Sequence, residues 1–261
     1  MSSLFLIRMP IAMDRLARWA GERGWIRHRG HATGFDEGRA LHHLVDEVFG
    51  PGELRPFRLL VAPRRRVGSL YGYCESDGEV LREKGHIQAL PEHLSVLKID
   101  RLEAKAMPTE WAEGRRIGFD LRVRPVRRLK TELGTDKERF RKGAELDAFL
   151  IEALRQHFGD RNGMAGDARA RETVYLDWLA ERLTPAAELD RKDTRLVHFQ
   201  RSRVSRGKAG PEGPDATFHG TLKVNEPERF IKLLARGVGR HRAYGYGMLL
   251  LRPVSRPTPR R

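Results

Sequence analysis

Cysteine is almost absent from this 261-residue chain, which has only Cys74. A single cysteine cannot form an intrachain disulfide, and it excludes a zinc cluster of the cysteine type. Hydrophobic runs are also short, and none approaches the roughly 20 residues that a membrane-spanning helix needs. The apolar run in residues 1–10 lacks the basic flank and the cleavage site of a secretory signal. We therefore expect a soluble, cytoplasmic protein with no membrane partner.

Acidic residues are outnumbered, with 35 Asp and Glu against 50 Lys and Arg, a formal net charge of +15. Such a surplus favours polyanionic partners, because phosphate contacts release counterions. Aromatic residues are few beside the basic runs, apart from Tyr244 and Tyr246, which disfavours a site where single-stranded bases stack. Recognition of an RNA stem-loop by shape and phosphates fits better. A basic protein without a specific partner is the alternative.

A glycine-rich stretch from Gly237 to Leu251 reads GVGRHRAYGYGMLLL. Its small residues leave the backbone bare beside cations, an arrangement that suits a phosphate because amide N–H groups can donate to it. We predict that this glycine loop binds RNA through Gly237, Gly239, Arg240, Arg242, Gly245 and Gly247. The alternative is a helix end and a tight turn that pack against a neighbouring domain.

The elements around the loop argue against a dinucleotide fingerprint, which should follow a strand and open a helix. The pattern instead predicts strand 217–224, helix 226–236 with Asn225 as its N-cap, and strand 246–252. Gly237 is expected to end the helix. The order of elements is therefore the reverse of a fingerprint, and Arg242 stands where its third glycine would be.

The remaining periodicity suggests two halves, residues 1–115 and 116–261. Residues 21–35 have the composition of a loop. We predict strands at Leu4–Met9, Phe57–Ala62, Ile117–Val126, Arg195–Arg203 and Thr217–Val224, and helices at Glu37–Phe49, within 137–158 and at Glu172–Leu183.

Ten histidines are present, and the helix Glu37–Phe49 singles out one of them. Relative to Leu41, a rotation of ~100° per residue places His42 at ~100°, at the edge of the apolar face, and His43 at ~200°, toward solvent. A side chain at such an edge is held by packing and can still reach a ligand. Arg39 lies one turn earlier, close enough to share a phosphate. The alternative is a boundary histidine without a role.

Two basic segments extend the candidate RNA-binding surface. The first runs through Arg122, Arg124, Arg127, Arg128 and Lys130 and continues, with Lys137, into Arg139, Arg141 and Lys142 at the predicted start of the next helix. Cations at a helix N-terminus oppose the helix dipole, which favours a ligand-binding role over a solvated charge run. The second is a Gly/Pro-rich hairpin loop with Arg203, Arg206 and Lys208.

The glycine loop resembles the C-terminal signature of the CRISPR repeat-processing endoribonucleases of the CasE type, which belong to Cascade complexes. Residues 237–249, GVGRHRAYGYGML, follow that signature closely. The upstream strands FHGTLKVN, residues 218–225, and GFDLRVRP, residues 118–125, are similar to two further strands of the family. Arg124 stands where the family usually has Asn.

This resemblance implies an α+β protein of two tandem ferredoxin-like (RRM-like) domains. It implies metal-independent cleavage of CRISPR repeat hairpins by 2′-OH attack, without metal or cofactor, and association with the guide RNA and other Cascade subunits. The catalytic histidine would be His42, within Leu41-His42-His43-Leu44-Val45. Arg39 replaces a frequent Tyr, so Arg39 and Lys208 are expected to stabilise the phosphate.

Three alternatives to this assignment stay open. His28 and His31 are reserve candidates for the catalytic histidine. A protein that binds the repeat RNA without cleaving it would have the same fold. A nucleotide-dependent enzyme using the glycine loop ranks far lower, because the chain has no Walker lysine motif and no paired-carboxylate metal site.

Overall fold

Two four-stranded antiparallel sheets dominate the computed structural model, which describes residues 3–29, 32–135, 138–157, 169–203 and 212–254. The first half contains β1 (Phe5–Ala12), α1 (Met13–Glu22), β2 (Ile26–Arg29), β3 (Ala32–Phe35), α2 (Glu37–Phe49), β4 (Phe57–Leu60), β5 (Val67–Cys74), α3 (Gly78–Gln88), α4 (Pro91–Val96) and β6 (Glu103–Ala106). Its sheet has the order β4-β5-β1-β6, and β2 and β3 form a separate hairpin.

The second half repeats this plan with additions. It contains β7 (Arg116–Val123), β8 (Val126–Arg128), β9 (Leu133–Thr135), β10 (Glu138–Phe140), β11 (Glu145–Asp147), α5 (Ala148–His157), α6 (Arg171–Leu183), β12 (Ala187–Arg203), β13 (Glu212–Val224), α7 (Pro227–Arg236) and β14 (Leu249–Arg252). The main sheet has the order β12-β13-β7-β14.

Each main sheet places its four strands in the order second, third, first, fourth, with helices between the first and second strands and between the third and fourth. This is the ferredoxin-like arrangement, so the predicted α+β class with two such units is confirmed. The domain boundary between residues 115 and 116 stays a prediction. In the part of the chain that the structure describes, no helix is long and apolar enough to cross a membrane.

Helix α2 forms where its apolar spacing predicts it. The Asp36 carboxylate caps the helix by accepting a hydrogen bond from the Arg39 backbone N–H at 3.2 Å. Leu41, Leu44 and Val45 are at most 1% exposed and pack in the first half's core. The apolar stripe therefore fixes the rotation of the helix and, with it, the place of His42.

Several predicted elements are wrong in extent or type. The helix predicted within 137–158 covers only Ala148–His157, because Glu138–Phe140 and Glu145–Asp147 form the short strands β10 and β11 instead. Residues 21–35, predicted as a loop, contain the β2–β3 hairpin. Asn225 does not cap α7: Pro227 occupies the first helical turn and makes Glu226 the N-cap, while the Asn225 N–H donates to the Ala186 carbonyl.

The two halves contact each other through buried polar and apolar groups. Arg58 of β4 forms an ion pair with Asp120 of β7 at 3.4 Å, and both side chains are under 10% exposed. The Tyr73 hydroxyl donates to the Leu249 carbonyl at 3.0 Å. Leu4 and Tyr73 also belong to the apolar cluster of the second half. These contacts fix the orientation of the halves and hence of any site between them.

The packing of the glycine loop can be tested by comparing two glycines. Gly247 and Gly52 have almost the same φ, +81° and +83°, but lie in different surroundings. A Cβ at Gly247 would lie 2.4 Å from the Val238 carbonyl oxygen, whereas Gly52 faces open space. Both Gly→Ala variants incur the left-handed penalty of about 1–2 kcal/mol. We expect Gly247→Ala to lose about 1–3 kcal/mol more, the usual cost of overpacking, in urea unfolding. Equal losses would contradict the close packing of the loop.

Candidate active site

His42 lies on α2 with its imidazole held by two side chains. Nη2 of Arg55 is 3.0 Å from Nδ1 of His42, and Oδ2 of Asp46 is 3.4 Å from the same nitrogen. Arg55 also forms an ion pair with Asp46, which lies one helical turn after His42. The His42 side chain is 21% exposed. The ring is therefore restrained on one side and accessible on the other.

Burial lowers the pKa of His42, while the Asp46 carboxylate opposes that change and the Arg55 and His43 side chains add to it. The ring is then mostly neutral near pH 7. Two neutral tautomers are compatible with the contacts. If Arg55 donates to Nδ1, the proton is on Nε2; if Nδ1–H donates to Asp46, Nε2 has a free lone pair. The second tautomer can accept a proton from a ligand.

Tyr244 brings a phenol from the second half to this histidine. Its ring centroid is 5.1 Å from that of His42, with an angle of 55° between the planes. Gly38 on α2 allows the approach, because a Cβ there would lie 2.9 Å from the Tyr244 carbonyl oxygen. The candidate site is therefore composed of residues from both halves.

His43 does not point freely into solvent, and that prediction is wrong. Its ring stacks on Trp25 with centroids 4.8 Å apart, and the guanidinium of Arg39 lies 4.8 Å from the centre of the same indole. The reason is a tertiary contact. The chain between α1 and β2 places Trp25 against the side of α2 that the helical pattern by itself predicts to be exposed. Arg39 is positioned by Trp25 one turn before His43.

Several predicted residues cannot be placed. Lys208, Arg206 and His31 lie outside the described residues. His28 is on β2, but its side chain is not among those described. Their predicted roles therefore stay predictions.

Two members of the first basic segment are committed to protein contacts. Arg122 forms a two-point ion pair with Asp215 at 2.8 and 2.6 Å. Burial opposes charging of Arg122, but hydrogen bonding to Asp215 outweighs it and raises the Arg122 pKa. Arg124 is 3% exposed and donates to the hydroxyl and carbonyl of Ser202 at 3.3 and 3.1 Å. These contacts hold both arginines against the protein, and RNA binding by either of them stays a prediction.

The rest of that segment is at the surface. Arg127 pairs with Glu181 at 2.7 Å, and Arg128 donates to the Gly143 carbonyl at 3.1 Å. Arg139 lies on β10 and pairs with Glu132, so it does not begin a helix as predicted. The other three predicted cations of the segment are exposed: Lys130, Arg141 and Lys142. RNA binding by these surface residues stays a prediction.

The loop glycines serve the fold. The Gly247 N–H donates to the Arg122 carbonyl at 2.7 Å, and the Gly237 N–H donates to the Leu233 carbonyl at 2.7 Å. Both amides thus have partners within the protein, and RNA binding by the loop glycines stays a prediction. A Cβ at Gly239 would meet the Trp178 ring at 3.0 Å, and one at Gly245 would meet Phe57 at 3.4 Å. The alternative from the sequence, a turn packed against its neighbours, describes these glycines.

The cations of the loop remain near the site. Arg240 forms an ion pair with Glu145 at 2.5 Å and is 47% exposed, and Arg242 donates to the Arg236 carbonyl. A concave surface of about 470 Å³ is lined by both arginines together with Arg55 and Tyr244. Positive charge and the His42 ring are therefore adjacent, as acid–base chemistry at a phosphate requires.

Three contributors to this site were missed from the sequence. Asp46 could have been found, because a carboxylate four residues after a helical histidine lies on the same face. Arg55 follows the turn after α2, and Tyr244 is about 200 residues away from His42 in the chain. No local pattern connects either of them to His42.

The chain matches the family of CRISPR associated proteins over residues 4–253. No curated protein matches it. A structure of the CRISPR endoribonuclease Cse3 bound to a 19-nucleotide RNA has a TM-score of 0.61 and 17% identity, covering 96% of this chain and 100% of that one.

Two further solved structures have the same fold. Thermus thermophilus Cse3, bound to an RNA representing a pre-cleavage complex, gives a TM-score of 0.59 at 18% identity over 96% of this chain and 100% of that chain. Cas6e from Escherichia coli str. K-12 gives 0.55 at 17% identity over 96% and 100%. With the match over residues 4–253, these likenesses lead to one conclusion: the chain belongs to the CRISPR associated protein family, as the glycine-loop motif predicted.

Proposed function

We propose that this protein is a metal-independent endoribonuclease that binds the hairpin of a CRISPR repeat transcript and cuts it once at the base of the stem. The observation that carries the proposal is the restrained, accessible imidazole of His42 beside a concave, cation-lined surface. The fold shared with Cse3, whose solved structures include RNA complexes, supports the same substrate class.

The reaction needs a base for the 2′-OH, an acid for the departing 5′-oxygen and positive charge for the phosphate. The 2′-oxygen attacks the adjacent phosphorus, the bond to the 5′-oxygen breaks, and a 2′,3′-cyclic phosphate and a 5′-OH result. Neutral His42 with Nδ1–H toward Asp46 presents an Nε2 lone pair that can take the 2′-OH proton. Arg55, which contacts the ring and lines the concave surface, would face the phosphate, and Arg39 and Lys208 are further candidates for charge stabilisation.

The product hairpin would stay bound, and the complex would join other Cascade subunits as part of the guide RNA assembly. In this proposal residues 1–115 carry the acid–base residue, and residues 116–261 carry most of the RNA-binding surface. A repeat-binding protein without cleavage activity is the alternative, favoured by Arg39 in place of the family's frequent Tyr. A cleavage assay on the repeat hairpin separates the two.

The chemistry predicts no dependence on divalent ions. Cleavage should persist in excess EDTA and leave a 2′,3′-cyclic phosphate, detected by mass spectrometry of the product. A 2′-deoxy nucleotide immediately 5′ of the cut should block cleavage and preserve binding, because it removes only the nucleophile. Loss of activity in EDTA, or cutting of the deoxy substrate, would rule out this mechanism.

His42→Ala should reduce the single-turnover rate by a factor on the order of 10²–10⁴, the usual contribution of a positioned proton-transfer group. Affinity for the hairpin should change little, since phosphates and shape supply most of the binding. The matched control is His43→Phe, which keeps a ring against Trp25 and removes only the nitrogens; its rate should stay close to wild type. A larger loss in the control would assign the chemistry to His43.

Arg55 and Asp46 should shift the pH dependence in opposite directions. Removing the Arg55 cation raises the His42 pKa, and removing the Asp46 anion lowers it, because their charges act with those signs now. A general base works above its pKa, so the acidic limb of the single-turnover profile should move to higher pH in Arg55→Gln and to lower pH in Asp46→Asn.

Arg39→Gln is the matched control for that profile. It removes a cation of the same helix that lies over Trp25, and the limb should keep its position whatever happens to the rate. Shifts of the same sign in the Arg55 and Asp46 variants would show that the limb does not report His42.

A further inference from the structure

A second set of cations lies away from the surface that the sequence favoured. On the β7–β8 segment, Arg122 pairs with Asp215 and Arg127 pairs with Glu181. On α6 and α7 the situation differs. Among the described residues, no carboxylate forms an ion pair with Arg182, Lys232 or Arg236. These side chains keep their full charge for a ligand.

Three adjoining concave surfaces connect these cations to the candidate active site. The 470 Å³ surface beside His42 shares Arg236, Arg240 and Arg242 with a second of about 260 Å³. The second shares Arg182 and Arg236 with a third of about 640 Å³. We call the three together the α7 groove. No acidic residue is among the described residues that line it, but Arg229 pairs with Glu226 and Arg240 pairs with Glu145. The charge available to a ligand is therefore concentrated on Arg182, Lys232 and Arg236.

Helix α7 places its cations in one row along the groove. Arg229, Lys232 and Arg236 are three and four residues apart, a spacing that puts them on one helix face over about 10 Å. The adjoining face carries Phe230, Leu233 and Leu234, all at most 3% exposed. The fold therefore fixes the row toward the groove, where a linear polyanion would meet several cations in succession.

A structural explanation covers only part of this row. Arg182 and Arg236 lie in the last turns of their helices, where cations are favourable with the helix dipole. Arg229 is in the first turn of α7, where the dipole disfavours it, and Lys232 is in the middle of the helix. Arg229 pairs with Glu226 at 2.8 Å, which offsets that penalty, so Lys232 is the cation that helix stabilisation does not require.

We infer that the α7 groove binds the ribose-phosphate backbone of the RNA strand that continues from the scissile phosphate at His42. Phosphates would contact Arg242 first, then Arg236 and Arg182, and then Lys232. The inference rests on the proposed endoribonuclease function and adds the path of the strand. Backbone contacts of this kind position RNA without reading its sequence.

The experiment measures binding of a repeat hairpin made uncleavable by a 2′-deoxy nucleotide 5′ of the cut, by fluorescence anisotropy across a series of KCl concentrations. Three triple variants change the formal charge equally. They are R182E/K232E/R236E in the groove, R127E/R128E/K130E on the β8 surface, and R64E/R65E/R66E in the exposed turn between β4 and β5 as the control. Urea unfolding checks that each variant is folded.

The groove variant should lower the magnitude of the slope of log K against log [salt] by about 2, since each lost phosphate contact removes about 0.7–0.9. The turn variant should keep the wild-type slope. A groove variant with the slope of the turn variant would overturn the inference, and a loss confined to the β8 variant would place the strand on that surface instead. Failure of the proposed function is distinct: wild type would then bind the all-ribose hairpin without cutting it.

Discussion

The contact between the glycine loop and helix α2 is the constraint on which the candidate site depends. Gly38 and the backbone of Tyr244 are too close for any side chain between them, so the second half is seated directly on the helix that carries His42. Without this contact, the His42 ring would lose the ring of Tyr244 as a neighbour, and Arg242 and Arg240 would not share a concave surface with Arg55. The site is a product of how the halves meet.

Buried charges make that meeting specific. Arg58 of the first half shares Asp120 with His219 and Arg252 of the second, and Arg122 lies between Asp215 and Glu37. Burial raises the pKa of Glu37, and the nearby Arg122 and Arg58 guanidiniums oppose that rise. Removing one member of such a pair leaves an uncompensated buried charge, which costs about 3–5 kcal/mol. Any other arrangement of the two halves would separate these charges and incur this penalty. A purely apolar contact would allow one half to shift along the other at lower cost.

Local signals predicted the parts of the structure that local physics controls. The apolar stripe of α2, the end of α7 at Gly237 and the ferredoxin-like order all followed from periodicity, glycine placement or the family motif. The helix predicted within 137–158 failed because its first half pairs as strands, with Leu146 opposite Arg127 on β8. The prediction that His43 points toward solvent failed for the same kind of reason, because its ring stacks on Trp25, which lies outside the helix. Sequence spacing describes the pattern within one element, whereas the surroundings of these residues depend on contacts between two elements.

The positive charge shows the same limit with a functional consequence. A count of cations along residues 115–142 treats each as available, yet Arg122 and Arg124 extend into protein and Arg139 is paired with Glu132. What a polyanion meets is the charge left after internal pairing, and that depends on strand partners distant in sequence. On α7 the cations are spread among apolar residues, and only the fold brings Lys232 and Arg236 together with Arg182 along one groove. A count of Lys and Arg in the sequence therefore does not show which of these cations remain available to a ligand.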